Sequence, residues 1–442
     1  MRKKSTLRFS HIFLLFCLAL AGAGAYTLLH DMAGPVIALV PESPERLGPA
    51  QPLELSLSDD SGLRSVQVTV RRGGRAMTVL RRDFPKDVRE AKLNFDLSET
   101  RLPDGAFELE IKARDAAFAG FGAGNSSTLT LPVRMDTQPP RIAVRTVPPA
   151  IRRGGSALIV YTVNKDVRET GVRSEDLFFP AYKQADGSWA CLFAFPYQKT
   201  TATYLPEIMA KDDAGNITSS RLLINAIGRD FSSDTLPISE KFLSMKSAEL
   251  ARLCPEKPDA PTLEQYICVN NGERLRNDAK LLELGQTSNP SFLWKGKFQH
   301  LPRSAVKANF GDARTYTSGG KKIDHQVHTG LDLASVARAE VPAANAGRVI
   351  FTEELGIYGN IAVIDHGLGL MTLYSHLSEF RVKPGDEVKA GQTVGTTGIT
   401  GLAAGDHVHF GVLVSGVPVQ PLEWLDAKWV QNNISSRLKS GR

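Results

Sequence analysis

The sequence predicts a mainly β protein. An N-terminal apolar helix precedes two β-sandwiches, a short helical connector and a histidine-rich final third. Three observations carry this reading. Short runs with period-two alternation fill residues 35–228, the periodicity changes over 229–302, and an uncharged run of 18 residues, Ile12 to Leu29, stands near the N-terminus. Period-two alternation marks strands with one buried and one wet face, whereas apolar residues three and four apart mark helices. At 442 residues the chain is too long for one ordinary core, so several domains are expected.

The N-terminal run comes first in the chain. Arg2, Lys3, Lys4 and Arg8 precede it. Its length is just enough to cross a bilayer core as a helix. Positive charge on its N-terminal side places that end in the cytoplasm and everything after Leu29 outside. Residues 1–34 are therefore read as a cytoplasmic tip and a single-pass membrane anchor. Ala23-Gly24-Ala25 would also suit a signal-peptide cleavage site. Cys17 lacks the small residues expected before a lipidated cysteine.

Residues 35–137 and 138–228 read as two β-modules. The first contains Leu53-Glu54-Leu55-Ser56-Leu57, Val66-Gln67-Val68-Thr69-Val70, Phe107-Glu108-Leu109-Glu110-Ile111 and Leu129-Thr130-Leu131. Asp136-Thr137-Gln138-Pro139-Pro140 breaks the pattern, because consecutive prolines cannot continue a ladder. The second starts at Arg141-Ile142-Ala143-Val144 and includes Ala157-Leu158-Ile159-Val160-Tyr161. A weak repeat joins them: Asp115 followed by Gly124-Asn125, and Asp212 followed by Gly215-Asn216, each just before a final strand. This resembles the late hairpin of bacterial immunoglobulin-like sandwiches. Such a pair is expected to act as a spacer.

Over 229–302, Phe242, Leu243, Leu250, Leu253, Tyr266, Ile267, Leu281 and Leu284 follow helical spacing. The stretch reads as a helical connector, either packed beside the last domain or covering its groove as a lid. Cys254 and Cys268 fall in it; they pair, or remain two thiols. An exported setting permits the pair, and without a C-x-x-C pair a thiolate metal site is not indicated.

The net charge of +6 rests on scattered Lys and Arg, so no nucleic-acid partner is expected. Six of the nine histidines lie between His325 and His409. His328 and Asp332 are four apart, and His407 and His409 two apart beside the strand-like run Val408 to Val414. On a strand, positions i, i+2 and i+4 share a face, so both pairs can enter one groove. Two imidazoles and a carboxylate suit a catalytic Zn2+ with one position left for water. Zinc makes that water acidic near pH 7, and a free histidine can move protons. Spacing alone leaves open which of His328, Asp332, His407 and His409 bind metal, with His376 a further candidate. His325 and His366 read as surface or core residues. Arg314 and Tyr316 read as substrate contacts or surface.

The stretch from about Phe310 to Trp424 resembles the catalytic domain of the lysostaphin/LytM-type zinc metallopeptidases. It carries His328-Thr329-Gly330-Leu331-Asp332, Tyr374-Ser375-His376-Leu377 and His407-Val408-His409 in the family's order. The resemblance implies His328, Asp332 and His409 as zinc ligands and His376 and His407 as catalytic histidines that do not bind metal. It implies an antiparallel β-sheet peptidase domain over 303–428, followed by a tail over 429–442. The implied activity is that of a metalloendopeptidase on the peptide part of cell-wall peptidoglycan. The single anchor leaves the catalytic domain exported, periplasmic or extracellular. The alternative is a catalytically silent wall-binding protein or activator. Gly385-Asp386-Glu387-Val388-Lys389-Ala390-Gly391-Gln392 resembles a hairpin of biotinyl domains, but no carrier lysine stands in the expected turn. No regulatory protein partner is specified.

Overall fold

The computed structural model describes residues 9–29, 32–118 and 122–440. Arg2, Lys3, Lys4 and Arg8, which set the expected orientation of the N-terminus, lie outside them. The chain is mainly β, with few helices, and it divides into two compact units. One comprises Met1–Pro139 with Lys211–Ile217, the other Pro140–Ala210 with Thr218–Arg442.

In the first unit a helix spans Phe9–Leu29. Side chains are described only at 12–22 and 24 of it. Among the described residues no helix is long and apolar enough to cross a membrane. Beyond it, a three-stranded and a five-stranded sheet enclose one core. The Leu53–Ser58 strand alternates buried and half-buried along its whole length, so Leu53, Leu55 and Leu57 enter the core while Glu54 and Ser56 face out. The repeated Asp–Asn pair is a turn device. Asp115 accepts from the backbone and side-chain nitrogens of Asn125, and Asp212 accepts from the same two groups of Asn216. In each case one carboxylate satisfies the amides of a turn that no ladder reaches.

In the second unit, two four-stranded sheets hold the β-module, and its Ser156–Val163 and Trp189–Ala194 strands are almost wholly buried. Their core runs without a break into that of the histidine-rich domain. The seam is polar where it must be. Trp424 is fully buried and donates from its indole nitrogen to the Ser156 hydroxyl. Glu423 accepts from Arg229 at 2.9 Å and from the Ser156 amide at 3.2 Å. A Cβ at Gly155 would lie 2.6 Å from that carboxylate, so only glycine admits it.

The connector is helical over Glu240–Leu253, Thr262–Cys268 and Arg274–Leu284, the last two joined by a π-helical turn at Val269–Glu273. Before these helices Ser233–Pro237 forms a strand parallel to Ala313–Ser318, and Pro237 ends it by removing a donor. After them the chain runs as loop to the next strand. Cys254 and Cys268 are joined as a disulfide.

The histidine-rich domain is built on an eight-stranded sheet. Its order is Ala305–Ala308, Leu331–Ala334, Val408–Val414, Leu370–Ser375, Asn360–Asp365, Gly347–Glu354 and Glu387–Val388, with Val417–Val419 also on Val408–Val414. All these pairings are antiparallel.

The seam yields a stability prediction. Glu423→Ala leaves the Arg229 guanidinium partly buried and unpaired, and should cost about 2–4 kcal/mol. All four tryptophans lie in the second unit, so urea unfolding followed by their fluorescence checks it. An unshifted midpoint would mean that the pair does not secure this seam.

Candidate metal centre

The site is assembled from strand register. In the antiparallel pair of Leu331–Ala334 with Val408–Val414, Asp332 stands opposite His409. On the other side of the same strand Ser375 stands opposite His409, and His376 follows immediately. The Val408–Val414 strand is buried at every position, which suits a central strand covered on both faces. His407 sits one residue before it and bridges Gly398.

His328 does not share a strand with Asp332, as the i and i+4 spacing suggested, because that strand begins only at Leu331. His328 enters from the preceding turn. Its backbone amide donates to Asp312 and its carbonyl accepts from Gly311, which fixes the ring's origin. Gly330 then lets the chain pass beneath His409. A Cβ there would lie 2.6 Å from the Phe410 carbonyl oxygen and 2.7 Å from the His409 ring.

Three atoms converge in the centre. His328 Nε2 lies 2.8 Å from Asp332 Oδ1 and 2.9 Å from His409 Nδ1, and His409 Nδ1 lies 3.0 Å from Asp332 Oδ1. His328 donates from Nδ1 to the Asn309 carbonyl at 2.8 Å. A carbonyl only accepts, so neutral His328 carries its proton on Nδ1 and turns a lone pair inward. Lone pairs of two imidazoles and a carboxylate therefore face one another at contact distance. That arrangement is repulsive unless a proton or a cation lies among them. With Nδ1 of His409 turned inward, its buried Nε2 has no hydrogen-bond partner. Two nitrogens and one oxygen are the donor set of a catalytic zinc, so His328, Asp332 and His409 fit that ion.

Two further imidazoles face the same centre. His407 donates from Nδ1 to the Gly405 carbonyl at 2.7 Å, and its Nε2 lies 3.6 Å from Asp332 Oδ1. His376 donates from Nδ1 to the Thr400 carbonyl at 2.7 Å. Their ring centroids are 4.8 Å apart. Each therefore keeps an Nε2 lone pair while neutral.

Burial and charge act in opposite directions here. Burial alone would push the Asp332 carboxyl up, but the charge and hydrogen bond of His328, with bonds from His407 and His409, hold it well below the usual carboxylate range. Burial, helped by neighbouring His328 and opposed by Asp332, brings the His409 imidazole down to about 4. Burial likewise holds His376 well below an ordinary histidine. For His407 burial is outweighed by the hydrogen bond and charge of Asp332, and its pKa rises.

The centre opens into a cavity of about 600 Å³ lined by the histidines and by Phe242, Tyr266, Asn270 and Arg274 of the connector. Sequence spacing missed two things. Arg314 lines the same cavity and donates to the second oxygen of Asp332 at 3.1 Å. The carbonyls of Asn309, Gly405 and Thr400 set the three tautomers, and backbone carbonyls leave no trace in residue type. His366 is fully buried between the Ala346 carbonyl and the Thr372 hydroxyl, and His325 is exposed on the Lys321–Val327 strand. Neither joins the site.

Residues 326–421 match Peptidase family M23, so the C-terminal part of the chain is an M23 peptidase domain. The chain is 38% identical over 97 residues to the DD-carboxypeptidase/endopeptidase Mpg of Neisseria meningitidis, 22% of each chain. The match thus spans about a fifth of that relative's length. It is 26% identical over 255 residues to the peptidoglycan DD-endopeptidase ShyB of Vibrio cholerae, covering 54% of this chain and 58% of ShyB. Among solved structures it is similar to the catalytic domain of the antimicrobial peptidase lysostaphin from Staphylococcus simulans. That similarity has a TM-score of 0.25 and 29% identity over 28% of this chain and 94% of the other.

The turn beneath His409 gives a direct test of the centre. Gly330→Ala must displace the His409 ring, and should weaken zinc binding by about ten- to a hundredfold. Competition against a coloured chelator measures this, and an unchanged affinity would show that the ring does not rest on that turn.

Proposed function

We propose that the M23 domain of this chain is a zinc metalloendopeptidase that hydrolyses peptide bonds of peptidoglycan. The observation that carries this is the meeting of five side chains in one cavity: the lone pairs of His328, Asp332 and His409 converge, and His376 and His407 turn Nε2 toward the same space. The Neisseria and Vibrio relatives are named as DD-carboxypeptidase/endopeptidase and peptidoglycan DD-endopeptidase, so the DD cross-link between stem peptides is the bond assigned.

Zinc held by His328, Asp332 and His409 would supply Lewis acidity that polarises the scissile carbonyl and makes water acidic enough to attack near neutral pH. The rest falls to the chain. Asp332 stays ionised, and Arg314 holds its outer oxygen so that the inner one points to the centre. His407 accepts the proton that water loses as its oxygen bonds to the carbonyl carbon. Its neighbour Asp332 favours the resulting imidazolium. His407 then gives that proton to the amine nitrogen as the C–N bond breaks. His376, kept neutral by burial, orients the water through Nε2.

We read the two β-modules as immunoglobulin-like supports and the Ile12 to Leu29 run as a single-pass membrane anchor that leaves the domain in the periplasm. The disulfide between Cys254 and Cys268 is in keeping with an oxidising compartment. The alternative of a silent wall-binding protein has nothing in the site to favour it, since no member of the five is replaced.

Two outcomes are expected with purified peptidoglycan and the full chain. Mass spectrometry should show new peptide termini that a chelator abolishes and added zinc restores. His407→Ala should retain zinc yet lose about 10²–10⁴-fold in turnover, whereas His328→Ala, Asp332→Ala and His409→Ala should lose the metal itself. A zinc-loaded chain that makes no new termini would defeat the endopeptidase assignment, and full zinc in His409→Ala would overturn the ligand set.

A further inference from the structure

His376 is held in an unfavourable backbone conformation. Its φ is +62°, in the left-handed region that a non-glycine residue rarely adopts. Such a residue costs about 1–3 kcal/mol and persists only when its surroundings over-determine it. Two bonds do this here: its amide donates to the Tyr358 carbonyl at 2.9 Å, and its Nδ1 donates to the Thr400 carbonyl at 2.7 Å. The question is what holds Tyr358 and Thr400.

Both answers lie in the connector, outside the residues that match the peptidase family. On the Glu240–Leu253 helix, Lys246 has only 5% of its side chain exposed. Its ammonium donates to the Ile399 carbonyl and to Glu249 Oε2, and Glu249 Oε1 accepts from the Gly401 amide at 2.7 Å. The two side chains thus grip the residues on either side of Thr400. On the Arg274–Leu284 helix, Asn277 accepts from the Ile357 amide at 2.9 Å, one residue before Tyr358. The two turns also touch: a Cβ on Gly401, at φ +64°, would lie 2.4 Å from the Gly359 amide nitrogen.

A lysine–glutamate pair whose ammonium is buried is a poor way to glue a helix to a sheet, because desolvation offsets much of its attraction and apolar residues would serve as well. Its geometry supplies what apolar residues cannot, a fixed position for one particular carbonyl. We propose that Lys246 and Glu249 are positioning residues for His376. They act through the Ile399–Gly401 backbone, so the connector completes the active site rather than only covering it. This rests on the peptidase reading above.

The test uses the full chain with a soluble cross-linked muropeptide, together with hydrogen exchange read by mass spectrometry. Lys246→Met and Glu249→Ala should each lower kcat by about 10–100-fold, by analogy with the partners that orient metal-ligating histidines from behind. KM should stay within about twofold and bound zinc should be unchanged. Amide exchange should accelerate at 399–402 and at 376–377. Glu249→Gln, which keeps an acceptor for Gly401, should retain most of the turnover. Three results would overturn the proposal: unchanged exchange at those amides, unchanged kcat despite faster exchange, or a Glu249→Gln as impaired as Glu249→Ala. If the unmutated chain cuts nothing, the peptidase reading falls, and exchange alone decides. Acceleration confined to 399–402 and 376–377 then supports the positioning role, and its absence defeats it.

Discussion

The second unit is organised around a repulsion. Three lone pairs, from His328, Asp332 and His409, are pressed together where burial leaves little room to solvate them. Leaving such groups without a compensating proton or cation costs several kcal/mol. The structure tolerates this because each ring is fixed from behind. Asn309 fixes one tautomer, the strand register fixes the carboxylate opposite His409, and Gly330 opens the space that the His409 ring fills. A proton or a cation held at the centre would relieve that strain. Were it a metal ion, its binding free energy would become part of the folding free energy of the domain.

Much of this was legible in the sequence, and the boundary between what was and was not is physical. The alternation Leu53, Leu55, Leu57 specifies a strand because side-chain direction has a period of two, and the strand is there. The H-x-x-x-D and H-x-H patterns marked residues that do meet. The reason inferred for the first pair was wrong: His328 arrives from a turn and not along a strand. Periodicity also over-extended the connector, since Ser233–Pro237 is a strand and the segment after Leu284 carries no helix. Its partner Ala313–Ser318 lies far along the chain, and long-range pairing leaves no local signal. The open question of Cys254 and Cys268 was of the same kind, because pairing depends on where two helices place their ends.

What residue type hides most completely is support. Lys246 and Glu249 look like an ordinary solvated pair three residues apart on a helix, the commonest arrangement there is. Nothing in their spacing says that the ammonium is buried or that both reach the loop behind His376. The same is true of Arg314, whose place against Asp332 depends on two strands coming together. Groups that perform chemistry belong to a short menu of residue types, whereas groups that aim them do not. Sequence reading therefore names candidates of the first kind and passes over the second.

The unbroken core between the Pro140–Ala210 module and the histidine-rich domain has a mechanical consequence. With Trp424 and Glu423 keyed into Ser156 and Gly155, there is no hinge at this junction to take up load. A pull transmitted through a ligand in the groove is shared by the whole second unit instead of being lost in a swivelling domain. The module backs the histidine-rich domain, and the stiffness of the pair comes from that seam.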